Sequence, residues 1–232
     1  MSYTTGTNYR SIKNFSGGRG VVSHLRSASI TKYSKTHTAA NSSKTNTSSS
    51  SNAVLTTQLR TYSKIAKNSA EDIQKTGEKL TATGELSLFG KAEKSKSTKD
   101  VVSEATDFVN NYNNMLSSIT KLGGTENKKF ISELKKYAED NKDVLKNVGI
   151  TVLTDGSLTM NKKEMSAASL ENLKKAFNGK DSFADKVTNL SSSIEENVEK
   201  KLKENLTILA AGGTSSITSS RGSSGSYFNM SV

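Results

Sequence analysis

From Val101 onward the apolar residues fall at Ala105, Phe108, Tyr112, Met115, Ile119 and Leu122, a 4-3-4-3 spacing without a polar interruption. That spacing returns to one side of an α-helix at every step and does not fit the period of two that a strand requires. It predicts a long helix with one narrow apolar stripe that packs lengthwise on a neighbour. A weaker copy runs through Leu55, Leu59, Tyr62, Ala66, Ser69, Ile73, Thr76 and Leu80, where Ser69 and Thr76 sit on the stripe itself. If this second seam does not pack internally, it is expected to pair with another chain.

The remaining body reads the same way. A helix is predicted near 126–147 with Phe130, Leu134, Tyr137 and Leu145 inward, and another near 162–177 with Met165, Leu170, Leu173 and Phe177 inward. A last helix is predicted over 181–209 with Phe183, Val187, Leu190, Ile194, Val198, Leu202 and Leu206 inward. Asp181 is its expected N-cap, and Gly179 the expected stop for the helix before it. The chain therefore predicts a mainly α fold, with long antiparallel helices packed as a coiled-coil-like bundle.

Two short stretches break the helical pattern. "ITVLTDGSLTM" (150–160) reads as a β-hairpin around Asp155-Gly156, a favoured two-residue type I′ turn. A two-residue loop pairs Leu153 with Leu158. It places Leu153, Leu158 and Met160 on one face and Ile150 and Val152 on the other. A lone hairpin is marginal in water, so a third strand is expected, and "GELSLF" (84–89), with Leu86 and Leu88 alternating, is the candidate.

The two ends differ from the body. Residues 1–52 include "TAANSSKTNTSSSSN" and read as a disordered Ser/Thr-rich tail, in which only Val21, Val22 and Leu25 form a small apolar patch. Residues 210–232 read as a second flexible tail, more apolar at its end (Tyr227, Phe228, Met230, Val232) than solvation requires. Between them lie an amphipathic helix at 53–82 and a helical domain at 83–209 that carries the hairpin at 149–160. Hydrophobic residues make up only 32% of the chain, which suits narrow seams flanked by tails better than a broad core. The first acidic residue is Glu71, so the basic excess belongs to the first 70 residues. A basic tail of this kind can contact nucleic acid, anionic lipid or wall polymer. Its charges are sparse, however, and Tyr3, Tyr9, Phe15 and Tyr33 are too widely spaced for a stacking platform, so a solvated tail is the favoured reading.

No motif calls for catalysis. His24 and His37 are the only histidines, and both lie in the expected tail. The chain has no Cys, so thiolate ligands and a Cys nucleophile are excluded. No Gly-x-Ser-x-Gly turn occurs. "SGGRG" (16–20) lacks the Gly-Lys-Ser/Thr end of a phosphate loop, and Glu195–Glu196 lies among lysines on a charged helix face. No catalytic residue, cofactor or metal is expected. No apolar run approaches the roughly 18 residues of a membrane span, and the amino terminus lacks the apolar core of a secretory signal.

Three blocks carry a resemblance to a known family. "STKDVVSEATDFVNNYNNMLSSI" (97–119) is similar to a helix built on a Phe-Val-x-x-Tyr-Asn core, here Phe108, Val109, Tyr112 and Asn113. "NVGITVLTDGSLTMNKKEM" (147–165) is similar to an isoleucine-rich strand, Asp-Gly-x-Leu and a helix start. "LENLKKAFNGKDSFADKVTNL" (170–190) is similar to a Leu-x-x-x-Phe-x-Gly element. In this order they resemble the carboxy-terminal region of the flagellar hook-associated protein 2 (filament cap) family, over about 85–195. The family's proteins are longer, with a distinct amino-terminal segment and large outer domains. The resemblance therefore implies a cap-like domain, a short relative rather than a complete cap.

That resemblance implies a non-enzymatic structural or assembly protein of the bacterial flagellum, exported without a cleaved signal. Its partners would be proteins, either flagellar axial proteins or a second copy, rather than nucleic acid. The expected packing seam is Val101, Phe108, Tyr112, Leu116 and Ile119, and the expected hairpin residues are Ile150, Leu153, Asp155, Gly156 and Leu158. The alternative is a cytoplasmic binding module or secretion adaptor whose basic amino-terminal tail contacts an anionic partner.

Overall fold

The computed structural model describes residues 46–211, and their side chains from Ala53 onward. The described residues form α1 (Asn46–Thr81), α2 (Leu88–Ser95), α3 (Lys99–Leu122), α4 (Thr125–Asp140), α5 (Lys142–Lys146), β1 (Ile150–Val152), β2 (Leu158–Met160), α6 (Lys162–Ala167), α7 (Leu170–Phe177) and α8 (Phe183–Ala210). The fold is mainly α with one small antiparallel hairpin, as the spacing predicts. Most of both expected tails lies outside the described residues, but α1 begins at Asn46, inside the stretch predicted to be disordered. Extending an existing helix avoids the cost of nucleation, so modest helix formers such as Ser can be carried along.

Three long helices make the frame. α3 and α8 both run antiparallel to α1. Tyr62 of α1 lies beneath the Lys121 ammonium near the end of α3, and Lys79 bonds Glu104 near its start at 2.8 Å. On the other side, Lys67 reaches Glu199 and Glu195 of α8, and Gln74 donates to Glu195 at 2.9 Å. The seam of α1 thus packs within the chain: Leu59, Ala66, Ile73 and Leu80 are buried. Ser69 and Thr76 are buried with them. The Thr76 hydroxyl donates to the Asp72 carbonyl one turn back (2.7 Å), so a small polar residue on the seam leaves no orphan group. α1 and α8 pack tightly at Gly77, where a Cβ would stand 1.8 Å from the Thr188 hydroxyl.

Local chemistry divides the predicted helices. The run at 126–147 splits into α4 and α5 at Asn141, whose amide donates to the Tyr137 carbonyl (2.8 Å). The run at 162–177 splits at Ser169, which caps α7 by accepting from Asn172 N–H (3.2 Å). α8 is capped by Ser182, not Asp181. The Ser182 hydroxyl accepts from Asp185 N–H (3.2 Å), while Asp181 sits at φ 64° and its own N–H donates to the Asp185 carboxylate. This reciprocal arrangement is a capping box displaced by one residue.

"GELSLF" is not a strand. Ser87 caps α2 by accepting from Gly90 N–H (3.1 Å), which turns the chain into a helix whose Phe89 and Ala92, three apart, face the core. Leu86, its partner in the strand reading, is 84% exposed. The hairpin register also differs from the expectation. Ile150 pairs with Met160, Thr151 with Thr159, and Val152 with Leu158. The loop has three residues, Thr154–Gly156, closed by Leu153 N–H to Ser157 C=O (2.8 Å), with Gly156 N–H to Leu153 C=O (2.9 Å) inside it. Only Gly156 has positive φ (86°), so the turn is not type I′. The Asp155 carboxylate accepts from Ser157 N–H (2.9 Å) and Ser157 O–H (2.6 Å). The one-residue shift puts Ile150, Val152, Leu158 and Met160 on one face and leaves Leu153, expected to pair with Leu158, 43% exposed.

Candidate functional site

The candidate site is the junction where α3 receives the hairpin. All five expected seam residues, Val101, Phe108, Tyr112, Leu116 and Ile119, are buried. The Phe108 ring meets Phe177 of α7 and Phe183 of α8 edge-on, with centroids 6.3 and 6.2 Å away. Tyr112 packs on Phe183 at 5.6 Å. These contacts join α3, α7 and α8 through aromatic edges, a geometry worth about 0.5–1.5 kcal/mol per pair beyond burial.

Tyr112 also carries a polar handle. Its hydroxyl donates to the Gly156 carbonyl at 2.9 Å and lies 3.2 Å from the Leu134 carbonyl of α4. One phenol therefore ties the hairpin turn and α4 to α3. Burial holds its pKa far above the ordinary phenol range, and the nearby Asp155 carboxylate pushes it further the same way. Asp155 itself is held below the usual carboxylate range by its two bonds from Ser157.

Asn113, the next residue, makes the second attachment. In an antiparallel ladder, residues opposite one another alternate between hydrogen-bonded and non-hydrogen-bonded pairs. Leu153 and Ser157 are a bonded pair, so Val152 and Leu158 are not, and Leu158 turns its N–H and C=O away from β1. Asn113 meets both. Its Nδ2 donates to Leu158 C=O (2.8 Å), and its Oδ1 accepts from Leu158 N–H (2.9 Å). The carboxamide stands where the backbone of a third strand would, so a two-stranded hairpin holds without one.

Of the expected hairpin residues, Ile150, Gly156 and Leu158 are buried at this junction, while Leu153 and Asp155 face outward. Asn113 belongs to the Phe-Val-x-x-Tyr-Asn core, yet the sequence reading gives it no role of its own. Its signal is a carboxamide beside a seam Tyr, one step round the helix.

A second feature lies at the α3–α4 corner. A cavity of about 220 Å³ has a floor of Leu59, Leu122, Val198 and Leu202. At its rim Asn127 donates to the Gly123 carbonyl (2.7 Å) and accepts from Asn197 (3.0 Å).

Among the described residues, no three His, Asp or Glu side chains gather to hold a metal, and no helix is long and apolar enough to cross a membrane. His24 and His37 lie outside them. No protein-family model, curated protein or solved structure matches the chain.

Proposed function

We propose that the chain is a non-enzymatic structural or assembly protein of the bacterial flagellum, related in kind to the carboxy-terminal domain of the filament cap. It acts by packing helices against flagellar axial proteins or further copies, outside the cell. One observation carries the reading. The Phe-Val-x-x-Tyr-Asn block and the Asp-Gly-x-Leu block are separate in sequence, and they dock on each other through Tyr112–Gly156 and Asn113–Leu158, the latter 45 positions apart. Motif residues that bond one another's backbone support a single domain built on both blocks. The rigid body so formed suits a protein that works by shape and contact.

Immunoblotting of flagella sheared from cells, beside the cell lysate, tests the assignment. The expected result is enrichment in the sheared fraction. Signal confined to the lysate refutes it and favours the adaptor whose basic amino-terminal segment binds an anionic partner.

A further inference from the structure

The corner cavity marks the level at which α3 stops. Below it α1 has both α3 and α8 beside it. Above it α1 and α8 continue as a pair, with Leu55, Leu206 and Leu209 half-buried, so the apolar floor of the cavity opens onto a strip with one side uncovered. The chemistry of the rim narrows what can lie there. Lys201 is paired with Glu204 (2.8 Å), Glu126 with Lys129 (3.0 Å), and Asn127 with Asn197. An apolar floor whose rim charges are already matched selects a neutral, apolar occupant. A cavity of about 150 Å³ accepts a benzene ring, so the space here takes one aromatic side chain.

The geometry points to the chain's own segment Tyr227–Val232 as that occupant, with the Phe228 ring in the cavity. Its sequence, Tyr-Phe-Asn-Met-Ser-Val, has no charged side chain and is apolar at four of six positions. The other apolar patch outside the described residues, Val21, Val22 and Leu25, is bracketed by Arg19 and Arg26. Reach also fits. The end of α8 at Ala210 lies about 12 Å along the helix from Leu202. A Gly/Ser/Thr-rich chain as long as the stretch up to Ser226 has a reach of roughly 21 Å when it behaves as a flexible coil. This inference does not depend on the flagellar assignment.

The test places a fluorophore in the full chain. The protein has no tryptophan, so Phe228→Trp gives a single reporter. The expected result is blue-shifted emission and a severalfold lower acrylamide quenching constant than for free tryptophan amide, both independent of protein concentration. Adding Leu202→Asp at the floor, or Asn205→Arg at the mouth, returns emission and quenching to the exposed values. Asn205→Arg lies on a partly exposed position and keeps the test valid if Leu202→Asp fails to fold. Exposed emission from Phe228→Trp alone overturns the inference. So does burial that persists in both groove variants, or burial that appears only as concentration rises, which identifies a second copy as the occupant.

Discussion

Tyr112→Phe isolates the hydroxyl that joins helix, hairpin and α4. The ring keeps its contact with Phe183 and its burial, so packing is nearly unchanged. What is lost is the donor to Gly156, whose carbonyl belongs to a buried residue. The Leu134 carbonyl lies within a helix and depends on the phenol less. Stranding one buried acceptor costs about 1–3 kcal/mol. The variant should be less stable than the parent by that amount in urea unfolding at pH 7, followed by far-UV circular dichroism. Raising the pH adds a second, signed expectation. The phenol's pKa is higher folded than unfolded, so its stabilising effect is complete below the unfolded value near 10 and is lost as pH rises above it. Each pH unit in that window removes about 1.4 kcal/mol from the parent and, at this position, nothing from the variant, which has no hydroxyl to ionise. The difference between the two should close within about two units above pH 10. Lysine deprotonation affects both proteins alike and cancels in the difference. A gap that stays constant from pH 7 to 11.5 (roughly one and a half units into the window) refutes a buried, protonated Tyr112.

Asn113→Ala should cost about 1–3 kcal/mol, because Leu158 N–H and C=O lose their partner together, and amide exchange at Leu158 should accelerate. Asn113→Asp should be at least as damaging at neutral pH, since a carboxylate then faces the Leu158 carbonyl. Gly77→Ala should destabilise by overpacking against Thr188, about 1–3 kcal/mol less up to roughly 1 kcal/mol of helix propensity, and Thr188→Ala in the same chain should recover part of the loss. Phe108→Ala should cost about 3–5 kcal/mol by thermal or denaturant melting, and a near-zero loss would place the ring at the surface. In an NMR titration Glu199 should ionise below the ordinary carboxylate range because Lys67 bonds it, so its small contribution to stability fades as pH falls. Lys67→Gln should return it to the ordinary range.

The long helices were legible because one rule, a buried stripe at 3.6-residue spacing, governs them from end to end. Val101, Phe108, Tyr112 and Ile119 needed no knowledge of what they touch. Boundaries were less legible because they are decided by competing caps. At 181–185, Asp181 and Ser182 are both good N-caps, and the winner is the one whose downstream neighbour, Asp185, can return a bond to the chain before the helix. At 84–89, Leu86 and Leu88 alternate as a strand would, yet Ser87 three residues before Gly90 N–H is enough to start a helix. The alternation was real in the sequence, but the Ser87 cap started a helix there, and Asn113 already occupies the outer edge of β2.

The hairpin register shows where local turn chemistry yields to the face pattern. Asp155-Gly156 suits a two-residue loop and also a three-residue loop, because both need a glycine at positive φ and only the first needs it of Asp155 as well. The two loops differ by one residue in pairing, so they distribute the apolar residues differently. The two-residue loop splits Ile150 and Val152 from Leu158 and Met160. The three-residue loop gathers all four on one face and leaves Thr151 and Thr159 on the other. Burying one face against α3 makes the second arrangement the stable one. In either loop Ser157 faces β1 and Leu158 turns its N–H and C=O outward, where Asn113 meets them. Register and apolar face are thus one choice, made by burial against α3, and the Asn113 clamp then holds the edge that faces the helix.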